Sequence, residues 1–153
     1  MQKNMDNAAL RQTRRSLPIA LLRAREKVMS PIRDMLAASG VNEQKWRVLR
    51  VLSESGAMDL TRLANEACLL LSSLHRMIGP LVDDGLIRRS PPSNDRRKVV
   101  VSVTEKGEAL IRQHSAESAQ IFARIEKGFG RDRLEVLLDL LEELQEVDLR
   151  TGR

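Results

Sequence analysis

Residues 94–107 read NDRRKVVVSVTEKG, and the reading of this stretch decides the fold. Asn94 and Asp95 make a polar turn, and Arg96, Arg97 and Lys98 then place three cations in succession. Val99, Val101 and Val103 follow at every second position, the period that puts side chains on one face of a strand. Thr104 stops the strand with a residue suited to capping a helix. A strand needs a partner, and Leu86-Ile87-Arg88-Arg89 supplies one across the loop SPPSNDR. The segment is therefore a β-hairpin with a cationic tip, its returning strand running from Lys98 to Val103. The valines are expected to hold that strand to the core.

The helix before the hairpin runs from about Ser72 to Asp84 and is closed by Gly85, the residue type expected just past a helix end. At about 100° per residue, Leu74, Met77, Ile78, Leu81 and Val82 gather on one side. Ser72, Ser73, His75, Arg76, Gly79 and Pro80 gather on the other. The outer face is small and polar, with groups suited to base edges or phosphates, and its first turn offers unpaired backbone N–H groups. Asp59 caps a short helix just upstream, with Leu60, Leu63, Ala64 and Ala67 inward. Two short helices joined by a brief turn form a helix-turn-helix. A basic hairpin directly behind it makes the arrangement a winged helix-turn-helix, in which the wing tip meets phosphate or minor groove.

Outward from there the chain is helical. A first helix starts after Ser16 with Pro18 in its first turn, and Leu17, Leu21, Val28, Ile32 and Met35 follow one line. Arg25 falls on that same line, and Ser30-Pro31 is expected to kink or restart the helix before Gly40 ends it. Asn42 caps a second helix carrying Trp46, Leu49 and Leu52, and ESGAMD (54–59) reads as a turn. After Thr104 a long helix presents Leu110, Ile111, His114, Ile121, Phe122, Ile125 and Phe129, with Gly128 and Gly130 breaking it. A last helix from Asp132 to Leu149 presents Leu134, Leu137, Leu138, Leu141 and Leu144. The fold class is mostly α, in the order α-α-α-α-β-β-α-α. Residues 1–16 read as a flexible basic arm and 17–153 as one domain. Within it the winged helix-turn-helix spans 42–103, and the outer helices span 17–38, 105–128 and 132–149.

The 153 residues carry a net charge of +5, and the distribution says more than the sum. Around the hairpin, Arg88, Arg89, Arg96, Arg97 and Lys98 face Asp95 alone. Such a focus fits a polyanion touching one place, or an ordinary solvated hairpin. No run approaches the roughly 18 apolar residues of a membrane span, so no membrane partner is expected. The lone Cys68 excludes an internal disulfide and a multi-cysteine metal site, and fits a reducing cytoplasm. His75 and His114 are the only histidines and have no metal-ligand spacing. A phosphate-binding loop, a dinucleotide fingerprint and a nucleophile elbow are all missing from the sequence. Neither an enzyme, a metal nor a cofactor is expected. A helical protein–protein adaptor would explain the acidic, leucine-rich last helix but not the wing cations.

NDRRKVVVSVTEKG resembles the wing signature of the MarR family of bacterial transcription regulators: Asp-x-Arg, five residues, an aliphatic residue, Thr, two residues, Gly. Here these are Asp95, Arg97, Val103, Thr104 and Gly107 with every spacing kept. LVDDGLIRRS (81–90) resembles the family's end of recognition helix and first wing strand. Within the family, SLPIALLRAREKVMSPIRDML (16–36) and EQKWRVLRVLSESGAMDLTRLANEACLL (43–70) look most like repressors of homoprotocatechuate (4-hydroxyphenylacetate) operons. The resemblance implies a homodimer interlocked through the first, fifth and sixth helices. It implies two recognition helices in successive major grooves of a pseudo-palindromic double-stranded operator, about 34–36 Å apart. Carried over residue by residue, it places Ser72, Ser73, His75 and Arg76 toward bases and phosphates. Asp95, Arg96, Arg97 and Lys98 lie in the wing, with Arg97 toward the minor groove. Leu71 departs from the polar residue common near that helix start, and Pro80 removes the bond to the Arg76 carbonyl.

The resemblance also implies a small phenolic or aromatic carboxylate effector. Arg25, on an apolar line, needs a carboxylate from a ligand or from an acidic residue of the last helix. Trp46 and Arg50, one turn apart, either face a pocket or serve as core packing and a surface pair. His114 reads as a core histidine or a sensor. Cys68 reads as an inert buried thiol or, alternatively, as the switch of a redox-responsive regulator.

Overall fold

The structure, a computed structural model, describes residues 13–90 and 99–150. It divides into two compact units, the first ending at Ala116 and the second beginning at Glu117. The first contains α1 (Leu17–Leu36), α2 (Glu43–Ser55), β1 (Met58–Asp59), α3 (Leu60–Glu66), α4 (Leu71–Asp83), β2 (Ile87–Arg89) and β3 (Val100–Val103). It also contains the first part of α5 (Glu105–Phe129); the remainder of α5 and α6 (Arg131–Gln145) belong to the second. A 3-10 turn at Thr13–Arg15 precedes α1, so the end of the expected arm carries local structure.

The helix starts follow from local chemistry. Asn42 accepts a hydrogen bond from the Lys45 N–H at 2.8 Å, and Asp59 accepts one from the Arg62 N–H at 2.8 Å. Each side chain satisfies a donor that the first helical turn leaves without a partner. Thr104 does the same for α5, accepting from the Gly107 N–H at 3.1 Å. At the far end of α4, Gly85 takes φ +72°, the left-handed conformation that turns the chain toward β2.

The first unit is built on aliphatic side chains withdrawn from solvent. Leu36, Val48, Leu49, Leu52, Leu63 and Leu74 are buried, joined by Ile78, Leu81 and Ile87. Three antiparallel strands in the order β1-β3-β2 lie beside them. Met58 pairs with Val101, Ile87 with Val103, and Arg89 with Val101, so Val101 is flanked on both sides and fully buried. Gly107 is fixed by proximity: a Cβ there would lie 2.4 Å from the Leu86 carbonyl oxygen and 2.6 Å from Val103 Cγ2. In the second unit Ile121 is buried and the Arg133 guanidinium stacks 4.6 Å from the Phe129 ring centroid. Phe122, Val136, Leu137, Leu138 and Leu140 remain exposed.

Several expectations are corrected. ESGAMD is not only a turn, since Met58 and Asp59 form a third strand against β3. The first helix runs through Pro31 without a restart and ends at Leu36. The fifth helix runs through Gly128 to Phe129, and the last ends at Gln145, leaving Leu149 exposed. Val101 faces inward as expected, but Val103 is only half-buried, like Val100 and Ser102, and Val99 is exposed at the strand entrance.

Candidate nucleic-acid interface

α3 and α4 are joined at Ala67–Leu70, where Cys68 adopts φ +53°. The Leu69 N–H reaches back to the Ala64 carbonyl at 2.9 Å, which closes α3 and redirects the chain into α4. Leu70 is the N-cap of α4 and gives no side-chain cap, so its side chain satisfies none of the first-turn donors. Leu74, Met77, Ile78 and Leu81 press the inner face into the core. Ser72, His75 and Arg76 are exposed and Ser73 is half-buried. Arg76 Nη2 donates to Ser73 Oγ at 3.5 Å, a long hydrogen bond that leaves the guanidinium available. The four expected reading residues of α4 therefore come together on its outer side.

Pro80 is exposed on that side and α4 continues past it to Asp83, with the Asp84 N–H donating to the Pro80 carbonyl at 2.9 Å. The missing bond to Arg76 does not end the helix. Beside α4 lies a concavity of about 800 Å³ lined by Asp59, Thr61, Arg62, Asn65, His75 and Val99. Thr61, Arg62 and Asn65 of α3 were not among the expected site residues. The only sequence signal for them is their place on the exposed side of α3. Asp95, Arg96, Arg97 and Lys98, the expected wing tip, lie outside the described residues.

Each of the expected effector residues has a partner within the chain. Arg25 is not buried and its partner is not in the last helix: Nη2 donates to Glu43 Oε1 at 2.5 Å, at the first residue of α2. Arg33 lies 3.5 Å from the other Glu43 oxygen and also pairs with Glu26. The Arg25 guanidinium, with Arg33 behind it, holds the Glu43 carboxyl below its ordinary pKa against the opposing effect of partial burial. Trp46 is buried, edge-on to His114 with ring centroids 5.7 Å apart at 86°. Arg50 is exposed and pairs with Glu54 one turn on, the surface-pair alternative. His114 is buried, with no hydrogen-bond partner for Nε2 among the described residues. Cys68 is exposed, which overturns the buried-thiol reading. No group of metal-ligating side chains occurs among the described residues.

Comparison with known proteins agrees with this geometry. The MarR family profile matches residues 41–99, from just before α2 to the entrance of β3. The chain is 38% identical over 133 residues to the HTH-type transcriptional regulator FarR of Neisseria gonorrhoeae, covering 87% of this chain and 91% of that one. It is 40% identical over 128 residues to the homoprotocatechuate degradative operon repressor of Escherichia coli, covering 84% and 86%. A crystal structure of NadR in complex with 4-hydroxyphenylacetate superposes with a TM-score of 0.78 at 36% identity, covering 91% of this chain and 99% of that one. The helix-turn-helix, the sheet and these relatives together establish that the chain belongs to the MarR family of transcription regulators.

Proposed function

We propose that the chain is a homodimeric, sequence-specific repressor of an aromatic-catabolism operon, released by a small phenolic or aromatic carboxylate. The observation that carries the reading is α4: its apolar face is buried, while Ser72, His75 and Arg76 stand exposed beside a half-buried Ser73. In this reading these residues meet base edges and phosphates in the major groove. Asp95, Arg96, Arg97 and Lys98 carry the wing, with Arg97 in the minor groove. Support for the dimer comes from apolar side chains left in solvent on single helices, Leu17, Leu21 and Leu22 on α1 and Phe122 and Leu138 on α5 and α6. The winged helix-turn-helix corresponds to 42–103 and the dimerisation helices to α1, α5 and α6.

The effector class follows from the homoprotocatechuate repressor and from the 4-hydroxyphenylacetate complex of NadR. Arg25, Trp46 and Arg50 are the proposed effector-facing groups. A carboxylate reaching Arg25 would share the guanidinium with Glu43, which engages Nη2, or exchange one charge-assisted bond for another by displacing it. Selection of bound genomic fragments, repeated with candidate phenolic acids, tests the proposal. Recovery of one pseudo-palindromic site, abolished when an acid is added, supports it. Recovery of unrelated fragments, unchanged by any acid, sinks it.

A second reading, oxidation-responsive control through Cys68, has one observation in its favour: the thiol is exposed just before α4. Mass spectrometry after mild peroxide treatment decides it. An intersubunit disulfide or sulfenate that tracks a fall in DNA binding supports this reading, and an unmodified thiol removes it.

A further inference from the structure

Resting on the DNA-binding reading, we propose that Leu71, the first residue of α4, packs against the C5-methyl group of a thymine in the major groove. Each half-site then requires thymine at one position. The first ground is a run of leucines that stays largely out of the core. Leu69, Leu70 and Leu71 lead into α4; Leu69 is half-buried, Leu70 is 74% exposed and Leu71 is 41% exposed. A single exposed leucine is ordinary, but this one follows an N-cap that is itself leucine and forms no side-chain cap. Positions 70 and 71 thus offer neither a capping group to the helix nor a hydrogen-bonding group to a phosphate. What they offer is apolar surface, held in water beside the proposed reading residues.

The second ground is placement. Leu71 lines the concavity of about 800 Å³ beside α4, with Leu60, Asn65, His75 and Val99, whereas Leu70 is not part of that lining. Leu71 and His75 are one turn apart, the spacing that makes two side chains neighbours on a helix surface. The leucine therefore continues the proposed reading face to its N-terminal end. In a helix-turn-helix the N-terminal residues of the second helix are those that contact base edges. Among its donors and acceptors the major groove presents one apolar group, the thymine methyl, and an aliphatic side chain gains by covering it. Leu71 has no hydrogen-bonding atom with which to read any other base edge. Docking of another protein would also bury these leucines, and that role has a different experimental signature.

The experiment uses the full chain, the selected duplex and a scrambled duplex of equal length. In further versions of the selected duplex, each thymine and its counterpart in the other half-site are replaced by deoxyuridine, which keeps the base pair and removes only the methyl group. For the wild-type chain, at least one such position should weaken binding, roughly fourfold for each methyl no longer covered. Leu71→Ala and Leu71→Ser should each bind the selected duplex more weakly and lose the difference between thymine and deoxyuridine at that position. Both should keep the wild-type log–log salt slope, because no phosphate contact is removed. Leu70→Ala should keep the thymine preference, and thermal melting controls for folding. Wild-type affinity unchanged by deoxyuridine at every position overturns the inference. So does a thymine preference that survives both Leu71 variants. Leu71 variants that bind the selected duplex as tightly as wild type also overturn it, the result expected if the leucine docks a protein. If the wild-type chain does not prefer the selected duplex to the scrambled one, the DNA-binding reading fails first and takes this inference with it.

Discussion

The Thr104 hydroxyl donates to the Gly85 carbonyl at 2.5 Å while its oxygen accepts from the Gly107 N–H at 3.1 Å. One side chain thus closes the end of α4 and starts α5. The Thr104 N–H donates to the Leu86 carbonyl at 3.0 Å, and Lys106 Nζ donates to the Asp84 carbonyl at 2.6 Å. The exit from the recognition helix and the entrance to α5 are therefore tied by hydrogen bonds centred on Thr104.

That joint leaves no room at Gly107. Gly107→Ala puts a methyl 2.4 Å from the Leu86 carbonyl oxygen, and backbone cannot yield as a flexible side-chain end can. We expect a loss of about 1–3 kcal/mol, read as a lowered denaturant midpoint. Thr104→Val, which keeps the shape and removes the hydroxyl, should cost about 1–2 kcal/mol through the missing cap and the orphaned Gly85 carbonyl. Two variants as stable as wild type would show that the joint is not structural.

Glu43 ties α1 to α2, and its depressed pKa fixes the sign of a pH effect. A carboxyl whose folded pKa lies below its unfolded value stabilises the fold above the ordinary carboxylate range. That contribution disappears as pH falls through the folded value. Glu43→Gln should melt below wild type at pH 7, and the gap should close as pH is lowered below about 4. With Arg25 half in solvent, screening keeps the difference near or below about 1 kcal/mol. A gap that is constant with pH contradicts the ionic account.

His114 is buried with Nε2 unpaired among the described residues, so its polarity costs the fold what a hydrocarbon would not. His114→Leu should leave thermal stability unchanged or raise it. Trp46→Ala removes the ring packed edge-on to His114 and should cost about 3–5 kcal/mol. A His114→Leu variant destabilised by more than about 2 kcal/mol would reveal a bonding partner for that nitrogen.

What the sequence made legible was mostly local. Asn42, Asp59 and Thr104 were readable as caps because a cap depends only on the residue and the three that follow it. The inner and outer faces of α4 were readable because helical periodicity separates Leu74, Ile78 and Leu81 from Ser72, His75 and Arg76. Arg25 was misplaced for the converse reason. Periodicity marks a line as apolar but does not say what covers it, and Leu17, Leu21 and Val28 on that line are exposed in the single chain. Its true partner Glu43 lies 18 residues away. Cys68 was misread because it is exposed in the α3–α4 turn, where its left-handed backbone is announced by no neighbouring glycine. β1 was missed because two residues carry no period of their own.

The most direct test of the central claim is the affinity of the wild-type chain and of Arg76→Ala and Arg97→Ala for the selected and scrambled duplexes, measured over a salt series. The account predicts that the wild-type chain prefers the selected duplex by at least about a thousandfold and weakens steeply with salt. Arg76→Ala should narrow that preference, and Arg97→Ala should weaken binding strongly, while both variants keep the oligomeric state of the wild type. Equal affinity for the two duplexes, or binding by both variants indistinguishable from wild type, would contradict it.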